Sequence, residues 1–233
     1  MLTPIALADL HLDLLYETDE RGNILRSRDP DVPTPLLHLV RTPDGNRWLL
    51  AASLSDHDRS LIHDALAHEP LVPNLDALET QPPLLPGLRH LLDENRRDYR
   101  GPAFSFPEAL ADPATPTELL VEPTDASTVP ELAWIRSTAA REQPICVARN
   151  QAGEIVAVCH SARSTAPAAE AGVETAPAYR GRGLGSAVVT AWATAVRAEG
   201  RVPIYSTWWG NTASRALARR LGLLLFGEDV SLT

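Results

Sequence analysis

Tyr179-Arg180-Gly181-Arg182-Gly183-Leu184-Gly185-Ser186 is the stretch on which the reading of this chain turns. It follows an apolar and acidic run, residues 171–175, that reads as a strand, and it precedes a segment of helical periodicity, residues 184–199. A strand, a short Arg/Gly turn and a helix start together make a site for a pyrophosphate. Gly181, Gly183 and Gly185 let the backbone come close to a ligand. The first N–H groups of the helix, around Leu184 and Ser186, lack intrahelical partners and point at it, and the helix dipole favours negative charge there. Arg180 and Arg182 can add charge-assisted hydrogen bonds. A Gly-x-Gly-x-Gly run alone also describes an ordinary glycine-rich turn, so the neighbours carry the weight.

Downstream, residues 203–208 read as a buried strand by their β-branched and aromatic content. Asn211 then reads as the N-cap of a helix that carries Ser214, Leu217 and Leu221 and closes at Gly222. Residues 223–232 are a final strand. The pattern T-x-P-x-Y-R-G-R-G-x-G from Thr175, a helix, a strand, N-x-x-S, a helix ending R-L-G-L and a last strand resembles the GNAT superfamily of N-acetyltransferases. The resemblance covers roughly residues 115–233, and its diagnostic part is residues 173–227.

The resemblance implies an α/β (α+β) fold, a GNAT-like mixed central sheet with helices on both faces, and acetyl-CoA as co-substrate. It implies that backbone N–H groups near Arg182 to Ser186 hold the pyrophosphate. It also implies that main chain at Val173, Glu174 and Thr175 pairs with the pantetheine arm, and that Asn211 and Ser214 contact pantetheine or phosphate. The tyrosine that often protonates the leaving thiolate in this family sits seven residues after the asparagine. Here that position is Ala218, so Ser214 and Tyr205 are the nearest expected donors, ahead of Ser206. Glu170 and Glu174, four apart in an extended segment and therefore on one face, are the expected general-base candidates, with His160 behind them.

Composition narrows the field. The formal net charge is −9, which argues against nucleic acid or an anionic membrane as partner and mildly favours a cationic amine as acceptor. The chain contains no lysine; every cationic side chain is arginine. No apolar run approaches the length needed to span a bilayer, and the N-terminus lacks a secretory pattern, so a cytoplasmic location is expected. Cys146 and Cys159 lie in apolar runs and read as buried free thiols. The histidines are scattered and no metal is expected.

The first half holds an expected helix at residues 7–16 and a β-hairpin of residues 36–40 and 48–52 turning at Asp44-Gly45. A helix capped by Ser55 should follow over residues 56–68, then a proline-rich loop over 70–87 and a helix over 88–97. A short extended piece should cover residues 101–107. The second half reads as a strand at 117–122, a helix at 129–139, a hairpin of 145–149 and 154–161, and the elements above. Residues 1–95 are expected to form a small N-terminal α+β lobe beside an acetyltransferase domain of residues 96–233. That lobe would border the acceptor site or form a homodimer interface. The expected function is transfer of acetyl from acetyl-CoA to a primary amine of a small molecule or amino-acid-like acceptor. A non-catalytic acyl-CoA-binding module is the competing class.

Overall fold

Side-chain caps and glycines mark several helix ends in the computed structural model, which describes residues 2–92, 97–113, 115–138 and 142–233. The chain forms two compact units. One comprises residues 1–104, 206–212 and 225–233, and the other residues 105–205 and 213–224.

In the first unit, Thr3 caps α1 (Pro4–Leu15) through its hydroxyl, and Pro4 stands at the first helical position, where its missing N–H costs nothing. β3 (Leu37–Thr42) and β4 (Gly45–Leu50) form the expected hairpin, but Thr42 pairs with Gly45, so Pro43 and Asp44 make the loop. Ser55 caps α2 (Asp56–Ala67) by accepting from the Asp58 N–H at 3.1 Å. α3 (Leu85–Leu92) begins inside the expected loop, and the loop also contains a 3-10 turn, Leu75–Glu79, capped by Asn74. The expected helix over 88–97 does not reach Arg97, whose N–H and carbonyl both bond to Thr233. Residues 93–96, including the expected end of the N-terminal lobe, lie outside the described residues.

β5 (Asp98–Ser105) starts earlier than expected, and β11 (Leu224–Leu232) inserts between it and β3, giving the order β4-β3-β11-β5. Leu37 and Leu39 of β3 and Val230 and Leu232 of β11 meet Ile62, Leu66, Leu85 and Leu88 of α2 and α3. The alternate residues turn the other way. On that side His38 contacts Tyr16 and Asp229 (2.7 and 3.2 Å), and His11 of α1 lies 3.4 Å from Asp229. A hairpin of β1 (Tyr16–Thr18) and β2 (Ile24–Ser27) was not expected. Asp19 builds its turn by accepting from the N–H groups of Arg21 and Asn23, and Gly22 takes φ +78°.

The second unit has the sheet order β10-β9-β8-β7-β6. Its strands are β6 (Glu118–Leu119), β7 (Ile145–Arg149), β8 (Ile155–Ser164), β9 (Ala168–Thr175) and β10 (Val202–Ser206). β10 is parallel to β9 and the other pairs are antiparallel, so the sheet is mixed. The expected helix over 129–139 is a 3-10 helix, Pro130–Ser137, with no side chain capping its start; Ala139 lies outside the described residues. Its Trp134 contacts His160 and Glu174, whereas Trp192 of α4 (Leu184–Ala198) donates to Ser161. His160 and Ser161 are neighbours on β8 and face opposite ways, so helices cover both faces.

α4 and α5 (Thr212–Arg220) end alike. Gly200 and Gly222 take φ +78° and +63°, and the next residue's N–H reaches back to Val196 and Ala218 respectively. These left-handed caps satisfy carbonyls that the helix leaves open. Cys146 and Cys159 are cross-strand partners, both free and buried. Burial pushes the Cys146 thiol up to about 12 and raises Cys159 as well.

Candidate active site

β9 ends at Thr175, and a 3-10 turn, Pro177–Tyr179, leads into the glycine-rich segment. Gly181 and Gly183 adopt φ +75° and +80°, the left-handed region that L side chains rarely enter. A Cβ built on either would meet nothing within 4 Å, so the space in front of this backbone is open. The first helical bond of α4 runs from the Ala187 N–H to the Gly183 carbonyl at 3.1 Å. The N–H groups of Leu184, Gly185 and Ser186 therefore precede the ladder. No acidic residue stands in this first turn, and the Ser186 hydroxyl is buried without a hydrogen-bond partner. Open space, uncommitted N–H groups, a spare hydroxyl and no competing carboxylate fit a pyrophosphate.

The arginines do part of their work on the turn itself. Arg180 Nε donates to the Thr175 carbonyl at 3.0 Å. Arg182 donates to the Ala178 carbonyl at 3.0 Å and lies over the Tyr179 ring, 5.1 Å from its centre. Both side chains are exposed and each keeps further N–H groups for an anion. The Tyr179 hydroxyl accepts from Asn150 at 3.1 Å, tying the turn to the β7–β8 connection. A cavity of about 570 Å³ lies between them, lined by Arg149, Asn150, Tyr179 and Arg182 among others.

β9 supplies the second feature. β10 pairs with it only where Val202, Pro203 and Ile204 face Ala168, Ala169 and Glu170. Beyond Glu170, no described strand pairs with that edge of β9. Residues 171–175 are half-buried there. Five residues of open edge, about 16 Å long, lead from the mouth of the glycine turn to the point where β10 begins to pair with β9. Val173, Glu174 and Thr175 all lie on this stretch.

The remaining expected residues divide. Glu174 accepts a hydrogen bond from Trp134 Nε1 at 3.0 Å. Glu170 shares its face of β9 but is buried and bound to Arg163 at 2.7 Å. Tyr205 is buried, and its hydroxyl hydrogen-bonds Ser214 of α5; burial raises the Tyr205 pKa, and the Ser214 bond opposes the rise. Ala218, one turn beyond Ser214, is fully buried. Asn211 directly precedes α5, and its N–H bonds the Trp208 carbonyl at 3.0 Å. Among the described residues, no group of three or more His, Cys, Asp or Glu could hold a metal ion.

Residues 143–227 match the family model of the GNAT acetyltransferases. This segment is a GNAT acetyltransferase domain. It contains the glycine turn, the open edge of β9, α4, β10 and α5, each in the order that the GNAT resemblance implied.

No curated protein matches the chain. Solved structures that are similar include a protein from Novosphingobium aromaticivorans DSM 12444 assigned to the GNAT family. It is 22% identical, with TM-score 0.46, and the match covers 58% of this chain and 64% of that one. A GCN5-related N-acetyltransferase-like protein from Streptococcus suis 89/1591 is 17% identical, with 86% and 85% covered and TM-score 0.48. A functionally unknown conserved protein from Staphylococcus epidermidis ATCC 12228 is 14% identical, with 97% and 96% covered and TM-score 0.49. The chain thus spans under two thirds of the first of these and most of the other two. No helix among the described residues is long and apolar enough to cross a membrane.

Three side chains in or packed against this segment escaped the sequence reading: Trp134, Glu142 and Asn150. Trp134 and Glu142 meet His160 on β8, and Asn150 meets Tyr179. The one readable signal was Asn150-x-x-Gly153, a turn pattern that also commits the asparagine's Oδ1 to the Ala152 and Glu154 N–H groups.

Proposed function

We propose that the protein is an acetyl-CoA-dependent N-acetyltransferase whose acceptor is a primary amine on a small molecule or an amino-acid-like compound. The observation that carries this reading is the continuity of the uncommitted α4 N-terminus with the open edge of β9. One can hold a pyrophosphate, and the other can hydrogen-bond an amide-containing arm of matching length. Gly181, Gly183, Gly185 and Ser186 would cradle the phosphates, with Arg180 and Arg182 adding charge. Main chain at Val173 and Thr175 would pair with the arm and polarise the acetyl carbonyl.

The amine would approach on the face of β9 that carries Glu174, where a carboxylate attracts an incoming ammonium and Trp134 offers an aromatic wall. Glu170, already bound to Arg163, would support the strand there. Asn211 is proposed as a further contact to the acyl carrier. Residues 1–95 are proposed to form a homodimer interface. The net charge supports an amine partner over nucleic acid or membrane.

The test is turnover by the full chain with acetyl-CoA and a panel of putrescine, 2-phenylethylamine, glucosamine and lysine, read by release of free thiol. Acetyl-dependent thiol release with at least one amine is expected. Tight acetyl-CoA binding without turnover on any amine would instead identify a binding module, the reading that Ala218 at the usual tyrosine position favours.

Protonation of the leaving thiolate is assigned to the hydrogen-bonded pair of Tyr205 and Ser214. Each hydroxyl can stand in for the other, and water for both, because a thiolate is a tolerable leaving group near neutrality. Tyr205→Phe and Ser214→Ala are each expected to slow single-turnover transfer by about tenfold, equal to about 1.4 kcal/mol. Ser206→Ala should change it less. A collapse beyond a thousandfold in one variant with acetyl-CoA affinity intact would identify a dedicated acid.

A further inference from the structure

We propose that His160, held by Glu142, is the group that takes the proton from the acceptor amine. The inference rests on the acetyltransferase reading above. His160 stands on β8, directly across from Gly172 of β9. A Cβ built on Gly172 would lie 2.4 Å from His160 Nε2 and 2.9 Å from its Cδ2. The imidazole thus fills the place of a missing side chain on β9, in the middle of the stretch whose outer edge is open. A chain paired along that edge lies about 4.8 Å from β9, so an amine reaching its thioester from this face comes within reach of Nε2.

The rest of the ring is fixed. Glu142 Oε2 lies 3.0 Å from Nδ1, an ion-pair contact not aligned as a hydrogen bond, and the Trp134 ring packs against the imidazole edge-on at 5.1 Å. A carboxylate beside the second nitrogen is the arrangement that recurs where histidine accepts protons from nucleophiles. Among the described residues, the charged groups acting on His160 are Glu142 and Glu174. Burial holds its pKa below the usual imidazole value, against the upward pull of both carboxylates, which leaves the ring neutral and able to accept at pH 7. Glu174, by contrast, already accepts the Trp134 indole N–H, so its role is to attract and position the ammonium.

The step balances. The ammonium passes one proton to His160 Nε2. The nitrogen lone pair then forms the C–N bond at the thioester carbon, and the C–S bond breaks with its electron pair on sulfur. The second nitrogen proton is lost and sulfur takes one, leaving amide, thiol and one proton for solvent.

Gly172 provides a test that leaves His160 in place. Gly172→Ala pushes the imidazole aside without removing any polar group. His160→Gln and Gly172→Ala are each expected to lower kcat/KM about 100-fold, His160→Gln with unchanged acetyl-CoA affinity by calorimetry, and the double variant should be no worse than Gly172→Ala alone. The parent's rate should fall on the acid side of a limb below about pH 6.5. That limb should vanish in His160→Gln and move to lower pH in Glu142→Gln, because Glu142 raises the histidine. The acceptor is whichever panel amine turns over fastest. Turnover within tenfold of the parent in His160→Gln, or an unchanged acid limb, overturns the assignment while leaving the acetyltransferase reading intact. A parent that acetylates no amine overturns both.

Discussion

Gly183→Val is expected to weaken acetyl-CoA binding more than about 100-fold, a loss of about 2.7 kcal/mol. Two effects add. Gly183 holds φ +80° at the N-terminus of α4, a conformation that costs an L residue about 1–2 kcal/mol and a β-branched one more. The valine side chain would also project into the open space in front of the turn, where the phosphate of the proposed carrier would approach the Leu184 to Ser186 N–H groups. Charge-assisted bonds to such a group are worth about 1.5–3 kcal/mol each, so displacement by one methyl group's width removes most of the affinity. Gly200→Val separates strain from site loss. Gly200 has φ +78° at the other end of α4, also with no neighbour within 4 Å. That variant should lose comparable stability and keep its affinity. Calorimetric titration of both variants decides the matter, and equal affinity in Gly183→Val and the parent would sink the assignment of this turn.

Glu228→Ala is expected to lower the stability of the first unit by about 3 kcal/mol. Glu228 is fully buried, paired with Arg41 in the β11–β3 register, and accepts from Arg41 at 2.8 Å, from Trp209 Nε1 at 2.8 Å and from Arg100. Removing it strands two guanidiniums and an indole N–H, and breaking a buried pair from one side costs about 3–5 kcal/mol. The lower end applies because Arg41 keeps Glu69 and both arginines keep the Thr80 carbonyl. Denaturant unfolding followed by tryptophan fluorescence measures the effect.

The same network has a pH signature. Burial raises Glu228, against the downward pull of Trp209, Arg100 and Arg41, and it raises Glu69 against Arg41 and the Leu84 N–H. A raised folded pKa means that the native state binds the proton more tightly. The stability linked to it is full below about pH 4.5 and is lost as the pH rises through the folded values. Glu228→Gln should flatten that decline. A parent whose stability climbs steadily from pH 4.5 to 7 with the same slope as Glu228→Gln would contradict it.

Much of the GNAT domain was legible from residues 173–227 because its signals are local. Glycines take the left-handed region readily where a turn or helix end needs it, and Gly183, Gly200 and Gly222 do so, with φ +80°, +78° and +63°, at both ends of α4 and at the end of α5. Ser55 announced a helix start for the same reason: capping is a bond between residues three apart. The β1–β2 hairpin was missed because its strands are three and four residues long and too short to show a period.

The amino-acid sequence by itself determined the glycine-rich turn, the order of strands and helices around it, and the face of β9 that Glu170 and Glu174 share. Tertiary structure alone decided what those carboxylates do. Whether Glu170 is bound by Arg163 depends on a register shift in β8, and whether Glu174 meets Trp134 depends on a 3-10 helix some forty residues away. The His160, Glu142 and Gly172 cluster arises the same way: a ring fits where a side chain is absent on the neighbouring strand. Such pairings are set by strand register and packing at long sequence separation. No period, cap or turn residue encodes them locally.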